Sequence, residues 1–243
     1  GRERNVASPI EAQQQVNNAG AERTEDNARR NMPLEESQNN IRALNDVLAA
    51  VGAATTTEAA TSAALSTVRS AFGWAYGSYW KVQDDALRFV NEDGDAGEEF
   101  SAVTLAASFT EGVGLSGRAW KTRDLFFTRD IGEMTDCVRA PIAQKVGVKS
   151  GVCFPIIVNG DVAGTMDFFA TETLDPSPDR PDALRNAGRS VSGPLARIAQ
   201  VEAESKAGQE LQSQAGSTLN ARHSAAGRGV PPDGRPAGDR ALR

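Results

Sequence analysis

Residues 151–169 read GVCFPIIVNGDVAGTMDFF, which is two apolar runs separated by Asn159-Gly160. Asn and Gly tolerate the positive φ angles of a type I′ turn, and β-branched and aromatic residues dominate the flanking runs. The stretch therefore predicts an antiparallel hairpin with strands over 152–158 and 162–169.

A second hairpin is predicted upstream, where large and small residues alternate from 74 to 80. This alternation places Trp74, Tyr76 and Trp80 on one strand face, as ligand-pocket wall or as ordinary core. Asp84-Asp85 is the predicted turn into a second strand over 86–90. Residues 100–109 have a weak helical pattern.

Amphipathic helices are predicted on both sides of these hairpins. Apolar residues recur at helical spacing over 41–52 and again from about 181 to 204. Between them, Thr55 and Glu58 have the spacing of a capping box, which starts a helix that ends at Gly73. Strand pairs joined by tight turns and flanked by helices predict an antiparallel α+β fold.

The composition excludes several classes of protein. The chain has 243 residues with a net charge of −6, which argues against non-specific nucleic-acid binding. No apolar run is long enough for a membrane span and no signal peptide is apparent, so a cytoplasmic location is expected. The single histidine, His223, disfavours a zinc site, a His-ligated haem and a Ser-His-Asp triad.

Three regions follow from the composition. Residues 1–40 are rich in Gln, Asn, Glu and Arg and predict a disordered or loosely helical polar arm. Residues 41–204 carry the regular patterns and form the predicted domain. Residues 205–243 predict a flexible tail.

Three stretches of this domain resemble the GAF family. They are the glycine-rich turn 111–120, the segment 138–148 that is similar to the family's pocket-covering helix, and the hairpin 151–169. The resemblance covers about 41–202. Within the family, the wording of 147–155 and 164–169 is similar to GAF modules of soluble bacterial chemoreceptor-like (methyl-accepting) signalling proteins.

The resemblance implies a six-stranded antiparallel sheet, with terminal helices on one face and short helices and loops over a small-molecule pocket on the other. It also implies a homodimer through helices near 41–52 and 183–202. The residues expected to contact the ligand are Tyr76, Trp80, Trp120, Phe126, Cys137, Arg139 and Asp167. The aromatic members would form the pocket wall, and Arg139 and Asp167 the polar contacts.

Cys137 is the residue that would make an enzyme. A thiol near a helix start and Arg139 can have a lowered pKa and become reactive. In the alternative interpretation, Cys137 is a buried structural cysteine. In bilin-binding GAF relatives a cysteine in this region is commonly followed by histidine, but Val138 follows here, which disfavours a bilin. GAF-fold free-methionine-sulfoxide reductases also carry cysteines on an earlier loop, and this chain has no cysteine there. Only Cys153 could therefore act as the resolving cysteine for Cys137. Cys153 otherwise belongs to the core.

Two further features keep alternative interpretations. Asp167 lies in an apolar strand and either holds a ligand, faces solvent or pairs with an arginine. The glycines of 112–117 either aim N–H groups at an anion or allow a tight turn. A cyclic-nucleotide motif is not found, and the acidic run 91–95 lacks the spacing of a calcium loop.

The sequence thus predicts a non-catalytic small-molecule sensor in bacterial signal transduction, of a chemotaxis-like kind, whose ligand it does not identify. A thiol-dependent reductase of a small oxidised substrate acting through Cys137 is the enzymatic alternative. A ligand-free structural dimerisation module is the third.

Overall fold

The computed structural model describes residues 35–226. Most of the predicted polar arm, and the predicted tail beyond 226, lie outside the described residues. The chain divides into two compact units, one ending at Ile198 and the other beginning at Ala199. Among the described residues, no helix combines the length and apolar character that a bilayer span needs.

Two helices open the first unit. Helix α1 occupies 35–52 of the described residues and buries Ala43, Val47 and Val51 at helical spacing. Helix α2, Thr57–Phe72, is capped by Thr56, whose side chain accepts the Ala59 N–H at 3.2 Å. The cap is therefore one residue later than the predicted Thr55, while α2 ends at Gly73 as predicted, with φ +72°.

Six strands form one antiparallel sheet, which confirms the predicted fold class. They are β1 (Tyr76–Gln83), β2 (Ala86–Gly94), β3 (Ser108–Phe109), β4 (Phe126–Thr128), β5 (Gly151–Val158) and β6 (Asp161–Phe169). Their spatial order is β3-β2-β1-β6-β5-β4, and every neighbouring pair is antiparallel. The sheet centre, β1 and β6, is consequently buried on both faces.

Both predicted hairpins are confirmed at their turns. Asp84 and Asp85 have φ angles of 51° and 55°, and Asn159 and Gly160 have 52° and 89°. Positive φ at both central residues matches the right-handed twist of paired strands. The registers of β1 with β2 and of β5 with β6 follow from these turns.

The remaining helices lie between the strands and after them. They are α3 (Glu98–Ala106), α4 (Gly114–Thr122), a 3₁₀ turn (Ile131–Glu133), α5 (Ala140–Val146) and α6 (Asp179–Ala226). Thus only part of the predicted helix over 100–109 is helical, because its last residues form β3. The pocket-covering segment contains α5, which begins with Pro141 in its first turn.

The sheet separates two cores. On one face, Met166 and Phe168 of β6 pack with α1, α2 and the start of α6, in a core that includes Leu65, Val68 and Leu184. On the other face, Tyr76 and Phe169 pack with α3, α4 and α5. Trp74 belongs to the first core and precedes β1, so the predicted shared face with Tyr76 and Trp80 is wrong for Trp74.

The structure differs from the predicted flexible tail over 205–226, which is helical as part of α6. The side chains of residues 201–214 are exposed. Residues 205–226 contain five alanines and three glutamines, which favour helix without any apolar stripe. The second unit is therefore a solvated helix in its described part.

Candidate functional site

A buried carboxylate stands at the centre of the sheet. Asp167 lies on β6, opposite Ser78 of β1 and opposite Cys153 of β5, and its side chain has no solvent exposure. An isolated carboxylate in such a place costs several kcal/mol, so it needs hydrogen-bond donors and an opposite charge. The chain supplies both from three elements.

Four side chains donate to Asp167. Ser116 of α4 donates to Oδ2 at 2.6 Å, and the Trp80 indole N–H donates to Oδ2 at 3.0 Å. The hydroxyl of Ser78 donates to Oδ1. Arg139, the residue before α5, donates from Nη2 to Oδ2 at 2.8 Å and forms the ion pair. The structure therefore pairs Asp167 with an arginine and excludes the solvent-facing interpretation.

Arg139 is fully buried among aromatic rings. Its guanidinium carbon lies 4.7 Å from the ring centre of Phe169, 4.9 Å from that of Phe109 and 5.4 Å from that of Trp80. Burial lowers the pKa of Arg139, but the attraction and hydrogen bond to the Asp167 carboxylate, together with the interactions with Cys137 and Tyr76, raise the pKa above its ordinary value. The guanidinium is therefore charged at every physiological pH.

The donors of Arg139 are only partly used. Its Nη2 reaches Asp167 and, at 3.3 Å, the Ser116 hydroxyl, whereas Nε and Nη1 are buried without an acceptor among the described residues. Buried polar groups in native proteins are almost always hydrogen-bonded, and for a charged donor the cost of an unmade bond is larger. These two atoms therefore leave hydrogen-bonding capacity unused.

The two thiols are free and buried, and they differ in setting. Cys153 pairs with Asp167 across the β5–β6 ladder, and burial, followed by the Asp167 charge, raises the pKa of its thiol well above the ordinary value. Cys153 is thus protonated at neutral pH, and it borders the polar cluster as well as the core. Cys137 precedes α5 and lies against Gly114.

Of the seven predicted site residues, the structure brings Trp80, Arg139 and Asp167 together. Tyr76 lies beside them, with its ring 6.3 Å from that of Phe169 and its hydroxyl donating to Glu92. Burial, then the Glu92 interaction, raises the pKa of Tyr76.

The other predicted residues lie at the border of this cluster. Trp120 is half-buried and packs against the small core around Trp80. Phe126 lies on β4, with its ring centre 5.6 Å from the guanidinium carbon of Arg118. Cys137 lies in the same core as Phe169. As ligand contacts, all seven residues stay predictions.

Sequence reasoning missed Ser78, Ser116 and Phe109. Ser78 carried a usable signal, because it is the small polar residue between Tyr76 and Trp80 on the same face of β1. Ser116 and Phe109 carried none, since their approach to Asp167 and Arg139 depends on the packing of α4 and β3.

The glycine-rich turn does not present a free anion site. The Gly114 N–H, at the start of α4, donates to Asp136 at 3.1 Å, and Arg118 donates to the same carboxylate at 2.9 Å. Burial raises the pKa of Asp136, but these hydrogen bonds outweigh it and lower the pKa below its ordinary value. Gly112 and Gly114 adopt positive φ angles of 86° and 65°, which supports the tight-turn interpretation.

Comparison with known proteins gives the family. The family model described as "GAF domain" matches residues 54–192, more than half of the chain. The chain belongs to the GAF domain family. No curated protein matches it.

Solved structures agree with this GAF fold at low sequence identity. The GAF domain of a phosphoenolpyruvate-protein phosphotransferase from Coxiella burnetii has a TM-score of 0.58 at 15% identity, over 68% of this chain and 98% of that one. Free methionine-R-sulfoxide reductase from Neisseria meningitidis, solved with its substrate, has a TM-score of 0.54 at 18% identity, over 66% of this chain and 91% of that one. The A. aeolicus nlh2 GAF domain has a TM-score of 0.52 at 13% identity, over 68% of this chain and 98% of that one. At these identities the likeness shows the fold alone.

This GAF domain therefore has a regulatory sensor fold with a charged, aromatic-lined cluster between its sheet and its short helices. A cavity of about 370 Å³ opens on the same side and is lined by Tyr76, Glu92 and Ser101. The Tyr76 ring contacts this cavity on one side and the Phe100 ring, 5.5 Å away, on another. The cluster thus has a cavity near it, although the Arg139 side chain itself is fully buried.

Proposed function

We propose that this GAF domain is a non-catalytic, cytoplasmic sensor that binds a small molecule through Arg139, within a bacterial signal-transduction protein of the chemotaxis-receptor kind. The observation that supports it is the charged guanidinium whose Nε and Nη1 have no acceptor among the described residues. The similarity of 147–155 and 164–169 to chemoreceptor-like modules supports the signalling context. The free thiols Cys137 and Cys153 suit a reducing compartment.

The chemistry of Arg139 favours a ligand with a carboxylate or another planar acceptor. A guanidinium offers its donors in a fixed fork that matches such groups, and Asp167 holds it in place from Nη2. Because Arg139 has no solvent exposure, binding requires α5 and its preceding loop to move away. A ligand that binds the open arrangement better would shift the population towards it.

The test is a ligand screen on the full chain and one variant pair. We expect a carboxylate-bearing metabolite to raise the Tm of the parent protein and of Arg88→Gln, an exposed arginine on β2. The double variant R139M/D167N, which removes both buried charges together, should lose this shift. Native mass spectrometry of the parent protein reports the bound species. A library of carboxylates, phosphates and neutral metabolites that leaves the Tm unchanged would contradict the proposal.

The homodimer belongs to the same proposal, and a second apolar stripe on α1 supports it. Ile41 and Leu48 are 57% and 47% exposed, and they lie seven residues apart, on a side of α1 different from its buried stripe. Exposed apolar residues at this spacing are typical of helix pairing.

Sedimentation velocity tests the dimer. Ile41→Glu with Leu48→Glu should convert a dimer into a monomer without changing the circular dichroism spectrum, since neither side chain belongs to the core. The matched control is Arg42→Glu, an exposed neighbour on α1. A parent protein that sediments as a monomer at tens of micromolar would reject the dimer.

The thiol reductase stays the second candidate because of the fold shared with the Neisseria meningitidis enzyme. The raised pKa of Cys153 makes it a poor resolving nucleophile. An assay of methionine sulfoxide reduction with dithiothreitol, comparing the parent chain with Cys137→Ser, separates the two functions. Turnover that disappears in Cys137→Ser would replace the sensor proposal with the enzymatic one.

A further inference from the structure

A second cavity lies on the opposite side of the sheet, next to the terminal helices. It has a volume of about 360 Å³, within the range of small-molecule sites. Its apolar wall is formed by Leu125, Phe127, Val152 and Leu184, from the β4–β5 side and the first turns of α6. Leu125 and Phe127 are only half-buried, so this wall leaves apolar surface open to an occupant.

One buried donor in this wall has no partner. Trp74 lines the cavity with 4% exposure, and its indole N–H finds no acceptor among the described residues. An indole N–H is a donor only, and buried tryptophans usually satisfy it. The contrast is Trp80, whose indole N–H reaches Asp167 at 3.0 Å.

A cation stands at the same cavity. Arg180 lines it half-buried, with its guanidinium carbon 4.8 Å from the Phe72 ring centre and Nη2 donating to the Phe72 carbonyl. Among the described residues, no carboxylate lies within ion-pair distance of Arg180. Burial lowers the pKa of Arg180, and the attraction of Glu36 offsets this only in part.

The two acids of the rim already have partners. Glu36 accepts a hydrogen bond from the Ser177 hydroxyl at 2.6 Å, and Asp175 forms an ion pair in which its Oδ1 lies 3.6 Å from Nη1 of Arg129. The unmet needs of the cavity are consequently an acceptor for Trp74 and a carboxylate within ion-pair distance of Arg180. The other requirement is an apolar body that covers Phe127 and Leu184.

We propose that this cavity binds a small carboxylic acid with an aromatic or alkyl body. Its carboxylate accepts the Trp74 indole hydrogen bond and neutralises Arg180, and its body packs on Leu125, Phe127 and Leu184. The site is separate from the Arg139 cluster, because its wall belongs to the core on the terminal-helix face. A ligand there contacts both the sheet and the start of α6.

The experiment uses 3-phenylpropionate as the probe and its neutral amide as the matched control, titrated into the full chain by calorimetry. We expect the acid to bind and the amide to bind about tenfold more weakly, as the loss of a charged hydrogen bond predicts. Arg180→Gln should also weaken binding of the acid by about tenfold. Arg197→Gln, an exposed arginine further along α6, should bind like the parent chain.

Two further measurements keep the site assignment testable. Trp74→Phe keeps an apolar ring and should weaken binding of the acid severalfold. In the parent chain, the indole ¹H–¹⁵N signal of Trp74, one of three tryptophans, should shift when the acid is added. The double variant R139M/D167N should bind the probe unchanged. The proposal is overturned if 3-phenylpropionate, octanoate and indole-3-acetate all fail to bind at millimolar concentration. It is equally overturned if R139M/D167N, and not R180Q, loses binding.

Discussion

Replacing Asp167 with asparagine will lower the free energy of unfolding by about 3–5 kcal/mol, the usual cost of removing one partner from a buried ion pair. The substitution keeps the size of the side chain and one acceptor for Ser78, Ser116 and Trp80. It leaves the Arg139 guanidinium charged and fully buried without its counter-charge. Chemical denaturation followed by circular dichroism measures the loss.

The control for this prediction is the double variant R139M/D167N. Methionine fills the aromatic cage of Arg139 without a charge, so no uncompensated ion remains in the core. The double variant should be more stable than D167N alone, and with R139M as the second single variant the double-mutant cycle gives the coupling between the two residues. A loss below about 1 kcal/mol in D167N, the level of an exposed pair, would contradict the buried network.

Gly117→Ala is expected to have the second large effect. A Cβ on Gly117 would overlap the carbonyl oxygen of Thr110 and lie 3.2 Å from the Gly112 nitrogen. Both neighbours are backbone atoms that cannot rotate away, so the cost should reach or exceed the ~1–3 kcal/mol of an overpacked core. The same shift would move Ser116, the adjacent residue, away from Asp167.

Gly193→Ala on α6 is the matched control for Gly117→Ala. A Cβ there meets nothing within 4 Å, and alanine restricts the unfolded chain. We expect an unchanged or slightly higher stability, by up to about 1 kcal/mol. Equal stabilities of G117A, G193A and the parent protein in urea would disprove the close approach at Gly117.

The sequence predicted those parts of the fold that local chemistry determines. Asn159-Gly160 and Asp84-Asp85 tolerate positive φ, so both hairpins and their registers were predictable. The family resemblance correctly implied the six-stranded sheet. Trp74 was assigned to the wrong face because period-two counting holds only within a strand, and β1 begins two residues later.

The candidate site was less predictable, for a physical reason. Asp167 and Arg139 are 28 residues apart, and their pairing depends on how the loop before α5 packs on the sheet. Sequence alone left Asp167 facing solvent, an arginine or a ligand, and the arginine contact needs both the register of β6 between β1 and β5 and the position of Arg139 before α5. The extension of α6 to Ala226 was missed because its polar composition carries no apolar period.

Adjacent residues of β6 also make the chain convenient for spectroscopy. Met166 packs in the core on the terminal-helix face, while Asp167, one peptide bond away, lies in the polar cluster on the other. The chain has three methionines, and Met134 packs against the core on the Asp167 side. Methyl labelling with ¹³C-methionine would therefore give a three-signal spectrum in which Met134 and Met166 observe the two surfaces of one sheet independently.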